Sequence, residues 1–162
     1  MARKTILGMS AALALCAAVV SVSAFGATKW TFNGSNTITS DDGVWGVSVS
    51  KSGTSLTVNK VSTWPTKPAD PTQLDLRLPI TDESGTAYQI TGFVQAAFEN
   101  VTCVSEIDFP KNLTSFGASY CFKNCSNLAR VVFEEPSQLT TINDYAFQSC
   151  GKLHTIEPYL PT

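Results

Sequence analysis

Three phenylalanines, Phe98, Phe122 and Phe147, sit 24 and 25 residues apart, each inside the same phrase. The first copy reads Ile90-x-x-Phe93, then Ala97-Phe98, then Val104-x-x-Ile107-x-Phe109-Pro110. The second reads Leu113-x-x-Phe116, then Cys121-Phe122-x-x-Cys125-x-x-Leu128-x-x-Val131-x-Phe133. The third reads Leu139-x-x-Ile142, then Ala146-Phe147-x-x-Cys150-x-x-Leu153-x-x-Ile156. A unit this short cannot bury its own apolar face, so it must stack on its neighbours. The second half of the chain is therefore held to an array of similar coils.

A period between 20 and 29 with an L-x-x-L-x-L core is that of a leucine-rich repeat. The fold expected is mainly β: a short leucine-rich-repeat solenoid with parallel strands and short helical or 3-10 turns. The first half of each unit, such as Leu139–Phe147, starts extended and ends in a helical turn, with Asn143 or Asp144 as its cap. The second half, such as Leu128–Phe133, is a strand with apolar residues at period two. Phe98, Phe122 and Phe147 are expected to form one internal column, with Cys125 and Cys150 in a shared slot beside it. Gln73–Pro79 resembles Val104–Pro110 and reads as the strand of a partial first repeat, Asp75 aligned with Glu106 and Arg77 with Asp108.

The rest of the chain divides around this array. Arg3 and Lys4 followed by the apolar stretch Ile6–Val20 and Val22-Ser23-Ala24 make residues 1–24 a secretory signal peptide. The alternatives are a lipoprotein acylated at Cys16, opposed by Leu15 before it, and an uncleaved anchor, opposed by the shortness of the apolar run. Residues 25–72 hold an N-terminal β-hairpin region, with Val44–Val49 and Leu56–Val58 flanking a polar loop, and a connection interrupted by Pro65, Pro68 and Pro71. The hairpin is expected to cap the repeats, which occupy residues 73–162. The localisation implied is secreted or cell-surface.

The full chain has formal charge −2; the signal holds two of its eleven basic residues and no acidic one, leaving −4 without it. No cluster of Lys and Arg exists to neutralise phosphates, so nucleic acid is excluded as a partner. No second apolar run is long enough for a membrane once the signal is removed.

Catalytic patterns are absent. There is no G-x-S-x-G, no H-E-x-x-H, no phosphate loop and no dinucleotide fingerprint. His154, the one histidine, lies on a strand with no visible triad partners, and Glu134-Glu135 reads as a solvated turn. No catalytic residue, cofactor or metal site is expected: there is no C-x-x-C, and one histidine cannot complete a ligand set. Cys103, Cys121, Cys125 and Cys150 permit disulfides in any of three pairings, or act as small buried thiols. Trp30, Trp45 and Trp64 are either core or an aromatic platform for sugar rings.

What remains is the outward side of the stacked strands. One expected row is Asp75, Glu106, Arg130 and Thr155; its neighbour is Arg77, Asp108, Val132 and Glu157. These rows read either as cross-strand charge pairs holding register, worth about 0.2–1 kcal/mol each, or as a strip that binds a partner.

The units resemble the BspA-like leucine-rich repeats of bacterial surface proteins, above all in Asn143-Asp144-Tyr145-Ala146-Phe147-Gln148-Ser149-Cys150 and Leu153. The resemblance spans about residues 73–158, with Val101 where the family usually has Cys. It implies an exported, non-catalytic, adhesion-type protein whose partner is a host, matrix or envelope protein. A glycan bound by the Trp-rich region is the alternative, as is a structural subunit or a fragment of a larger surface protein. Self-association through the C-terminal coil is a further expectation.

Overall fold

The computed structural model describes residues 27–63, 72–116 and 119–158. The signal segment lies outside them, as do Trp64 and the three prolines after it. Twelve strands and no helix make up the described residues. In chain order they are β1 (Trp30–Phe32), β2 (Thr37–Ser40), β3 (Gly46–Ser52), β4 (Ser55–Thr63), β5 (Thr72–Asp75), β6 (Ile80–Thr81), β7 (Ala87–Phe93), β8 (Val104–Phe109), β9 (Ser115–Phe116), β10 (Arg130–Phe133), β11 (Thr141–Ile142) and β12 (Thr155–Glu157).

The N-terminal region is more than the hairpin expected from sequence. The hairpin exists: β3 and β4 pair antiparallel up to Ser52↔Ser55, around a two-residue loop in which Gly53 takes φ +60°. Glycine adopts that conformation without the Cβ clash that other residues meet. The strand order β7-β4-β3-β2-β1-β6, with β6 returning to β7, then closes a ring of six strands. Trp30, Phe32, Ile38, Val47, Val49, Leu56 and Val58 fill it, following the inward alternation of the strands. Closure removes the free edges a lone hairpin would leave.

The repeats build two parallel ladders. β5, β8, β10 and β12 form one four-stranded sheet. β9 and β11 extend the other from β7, which the ring and the repeats share. The expected helical turns are replaced by tight turns holding two left-handed residues per coil: Ala96 and Asn100, Tyr120 and Asn124, Tyr145 and Ser149. They stand two residues before and two after Phe98, Phe122 and Phe147 respectively. Main-chain bonds also tie turn to turn, as in Phe98 N–H to Cys121 O (2.7 Å) and Phe122 N–H to Ala146 O (2.8 Å).

Inside the turns the three rings form a column. Phe98 and Phe122 stack at 4.9 Å and Phe122 and Phe147 at 5.5 Å, all within 16° of parallel. Phe93, Phe109 and Phe116 pack edge-on around Phe122 at 5.4–5.8 Å. Buried apolar residues of ring and coils form a single core cluster.

Candidate functional site

The sheet of β5, β8, β10 and β12 carries the candidate surface. Its register places Glu106, Arg130 and Thr155 side by side, and Asp108, Val132 and Glu157 side by side. The alignment expected for β5 is corrected by two residues. Gln73, not Asp75, lies beside Glu106, and Asp75, not Arg77, lies beside Asp108. A bulge between Thr72 and Gln73 contributes one residue of this offset, and Arg77 falls beyond the end of the strand.

The side chains knit into one chain of contacts. Arg77 holds Asp75 at 2.7 Å and Asp108 at 3.2 Å. Gln73 donates from Nε2 to Asp108 Oδ2 and to Glu106 Oε1. Arg130 bridges Glu106 and Glu157, each at 2.7 Å. The bonded carboxylates stabilise both guanidinium cations and raise their pKa, through Asp75 for Arg77 and through Glu157 for Arg130. The four carboxylates outnumber the two guanidiniums, so the face is net negative.

Asp108 departs from the exposed row in which it was placed, being only 1% exposed. Burial raises its carboxyl pKa, against the opposing pull of the Gln73 bond and the Arg77 charge. It works from beneath, orienting Gln73 and Arg77, and presents nothing to a partner. Val132 is half-buried, Thr155 is held by His154 Nδ1 at 2.8 Å, and Glu157 is exposed. A groove of about 300 Å³ opens beside Arg77, between Leu78, Pro79 and Ile80 on one side and Pro110, Lys111 and Glu134 on the other.

Cys103, Cys121, Cys125 and Cys150 are all buried. Cys125 Sγ donates to Phe98 O (3.2 Å) and Cys150 Sγ to Phe122 O (3.0 Å), so each thiol ties its coil to the column residue one coil earlier. Cys121 Sγ donates likewise to Val94 O (3.4 Å). Among the described residues no group of three metal-ligating side chains gathers. Trp30 and Trp45 are 1% and 3% exposed, which removes both from any sugar platform.

Two features escape a reading of the sequence. Gln73 joins two carboxylates, yet only the structural register brings it there. Tyr120 and Tyr145 stack on the outside of the turns at 5.3 Å and 12°. Tyr145 is 58% exposed, and Lys123 Nζ lies 4.9 Å from the Tyr120 ring. Their 25-residue spacing is the signal that could have found them.

Residues 86–159 match the BspA type leucine rich repeat region, in six copies, and are a region of that type. No curated protein matches the chain. Among solved structures it is similar to a leucine rich cell surface protein from Faecalibacterium prausnitzii A2-165, at 23% identity and TM-score 0.53, over 71% of this chain and 29% of that one. It is also similar to a leucine-rich repeat protein from Bacteroides ovatus ATCC 8483, at 21% identity and TM-score 0.54, over 68% of this chain and 27% of that one. The chain thus spans less than a third of the length of either, and the likeness is one of fold.

Proposed function

We propose that this chain, built on a BspA-type leucine-rich repeat region, is an exported, non-catalytic protein of the cell surface. It binds a protein partner on the outer face of β5, β8, β10 and β12. The observation that carries this reading is the charged network from Asp75 to Glu157, fixed in place by parallel strands over a filled aromatic core. Such a face presents its side chains pre-ordered, so a partner loses little of its binding energy to ordering them. Its net negative charge suits a partner with basic groups, whose encounter would quicken at low salt. The accessible positions are Gln73, Asp75, Arg77, Glu106, Arg130, Val132, Thr155 and Glu157, with Asp108 as their support. Export would use the signal peptide at residues 1–24.

The test is capture from host, matrix and envelope fractions by the purified protein, followed by affinity measurement with the protein caught. Reversing charge at Glu106→Arg with Arg130→Glu leaves the net charge unchanged but exchanges the positions of the two signs, and should weaken binding by about tenfold or more through mismatched contacts. Val132→Lys, at a half-buried position between the charges, should weaken binding as well, because it lowers the negative charge that draws a basic partner. Binding unaffected by both, in variants with unchanged near-UV circular dichroism, would sink the strand-face assignment.

A further inference from the structure

The groove beside Arg77 lies where the ring meets the first coils. Four segments wall it: the residues after β5, the start of β7, the residues after β8, and Glu134 just past β10. Its volume of about 300 Å³ equals that of about ten water molecules at about 30 Å³ each, at the small end of ligand sites. The floor is aliphatic, with Leu78, Pro79 and Pro110 partly or fully exposed above buried Ile80 and Ile90.

Around that floor stand polar groups with hydrogen-bonding capacity to spare. Asn112 Nδ2 donates to Gln89 Oε1 at 2.7 Å, which leaves Asn112 Oδ1 and Gln89 Nε2 without a partner among the described residues. Glu134 Oε2 accepts from the Lys111 backbone N–H at 3.2 Å, which leaves Oε1. Arg77 commits Nε and Nη2 to Asp75. Among the described residues its Nη1 and the Lys111 Nζ donate to nothing.

The charges of the groove balance. Arg77 is met by Asp75 and Asp108, neither of which lines the groove, and Lys111 and Glu134 offset each other. An ion of either sign therefore meets a like charge. A peptide cannot add to β7 as a strand either, because Tyr88 pairs with Ile80 on one side and Gln89 with Ser55 on the other. The occupant that fits is neutral and compact, with an apolar face for the floor and groups that both donate and accept for the rim. Hydroxyl groups do both.

We propose that this groove is a binding site for one neutral hexose ring, its C–H face on Leu78, Pro79 and Pro110. Its hydroxyls donate to Glu134 and Asn112 and accept from Lys111, Gln89 and Arg77. The site is separate from the buried Trp30 and Trp45, and it stands or falls independently of a protein partner on the strand face.

The test is a titration of the purified, ¹⁵N-labelled chain with the methyl glycosides of glucose, galactose, mannose and N-acetylglucosamine, each up to about 50 mM, read by amide shifts in nitrogen–proton correlation spectra. At least one glycoside should shift the amides of Leu78, Gln89, Lys111 and Asn112 saturably, with millimolar affinity. Glu134→Gln removes a charged acceptor and should weaken binding by about fivefold or more. Gln89→Ala, at an exposed position, should weaken it as well. Neither variant alters the ion pairs of the strand face, so capture of a protein there should persist in both. Glucuronate and glucosamine should bind no better than the neutral parent. The proposal is overturned if no glycoside moves those amides, if the shifts centre elsewhere, if both folded variants bind as the parent does, or if a charged analogue binds more tightly.

Discussion

Replacing Phe122 by alanine tests the column at its centre. The residue is 0% exposed, with rings on both faces at 4.9 and 5.5 Å and three more at its edges. A buried phenylalanine withdraws about 150–250 Å² from water. Losing most of that area at about 25 cal/mol per Å² removes roughly 3–4 kcal/mol, and the cavity left behind raises the loss to about 4 kcal/mol. A domain of this size has only about 5–15 kcal/mol of stability, so the variant should be marginal. Phe147→Ala is the internal control. Being only partly buried, it should lose about 1–2 kcal/mol. Urea unfolding followed by far-UV circular dichroism and by tryptophan fluorescence measures both. Trp30 and Trp45 report on the ring, and because ring and coils share β7 and one core cluster, the two signals should shift together. A loss below about 1.5 kcal/mol for Phe122→Ala would refute the reasoning, being too small for a fully enclosed ring. Equal losses for the two variants would refute it too.

Two further outcomes follow from side-chain environments. Asp82 accepts from the Ser84 hydroxyl, the Tyr88 hydroxyl and the backbone N–H groups of Thr86 and Ser84, which lower its pKa from 3.8 to about 2. A depressed carboxyl gives stability that is present above its unfolded value and lost as pH falls from about 4 through about 2. The urea midpoint should drop across that window, and Asp82→Asn should flatten the drop; an unchanged slope would discount the turn. Cys125 is buried against Cys150, and both the neighbouring thiol and burial raise its pKa. Ellman's reagent should therefore leave Cys125 unmodified in the native protein and label it at once in urea, with Cys150, the most exposed of the four cysteines, reacting first. Prompt native labelling of Cys125 would contradict its placement.

The coils were legible in the sequence because their constraint is one-dimensional. A ring that must stack on the equivalent ring of the next coil leaves its mark at a fixed spacing, and the 24- and 25-residue steps between Phe98, Phe122 and Phe147 are that mark. The pairing of Glu106 with Arg130 follows from the same spacing. So does the shared slot of Cys125 and Cys150, where a small side chain fits and a thiol can reach the carbonyl of the preceding coil. The pairs of left-handed residues were not legible. Glycine marks such turns in most chains, but here Ala96, Tyr120 and Tyr145 occupy them. Coil-to-coil main-chain bonds such as Phe122 N–H to Ala146 O hold the turn against the preference of its residues.

Two other features were hidden for reasons of pattern. Leu74, Leu76 and Leu78 alternate evenly, so sliding the strand by two residues keeps every leucine on the same face. Aligning Pro79 with Pro110 chooses one register; the strand takes another, in which Leu74 sits beside Ile107 and Gln73 reaches Asp108. A slip of one residue would have exposed the leucines and been rejected at sight, whereas a slip of two is invisible to hydrophobic pattern and changes only which polar groups meet. Ring closure is concealed similarly. β6 is two residues long and β1 three, too short for alternation to declare them. Their pairing depends on β7 bonding β6 through Ala87 and Tyr88 and β9 through Gly92, so that one strand serves both bodies. That shared strand gives the coil stack its polarity. The ring occupies the end from which the first coil could have been extended, so the coils follow one another in one direction only, from β7 toward β11 and from β5 toward β12.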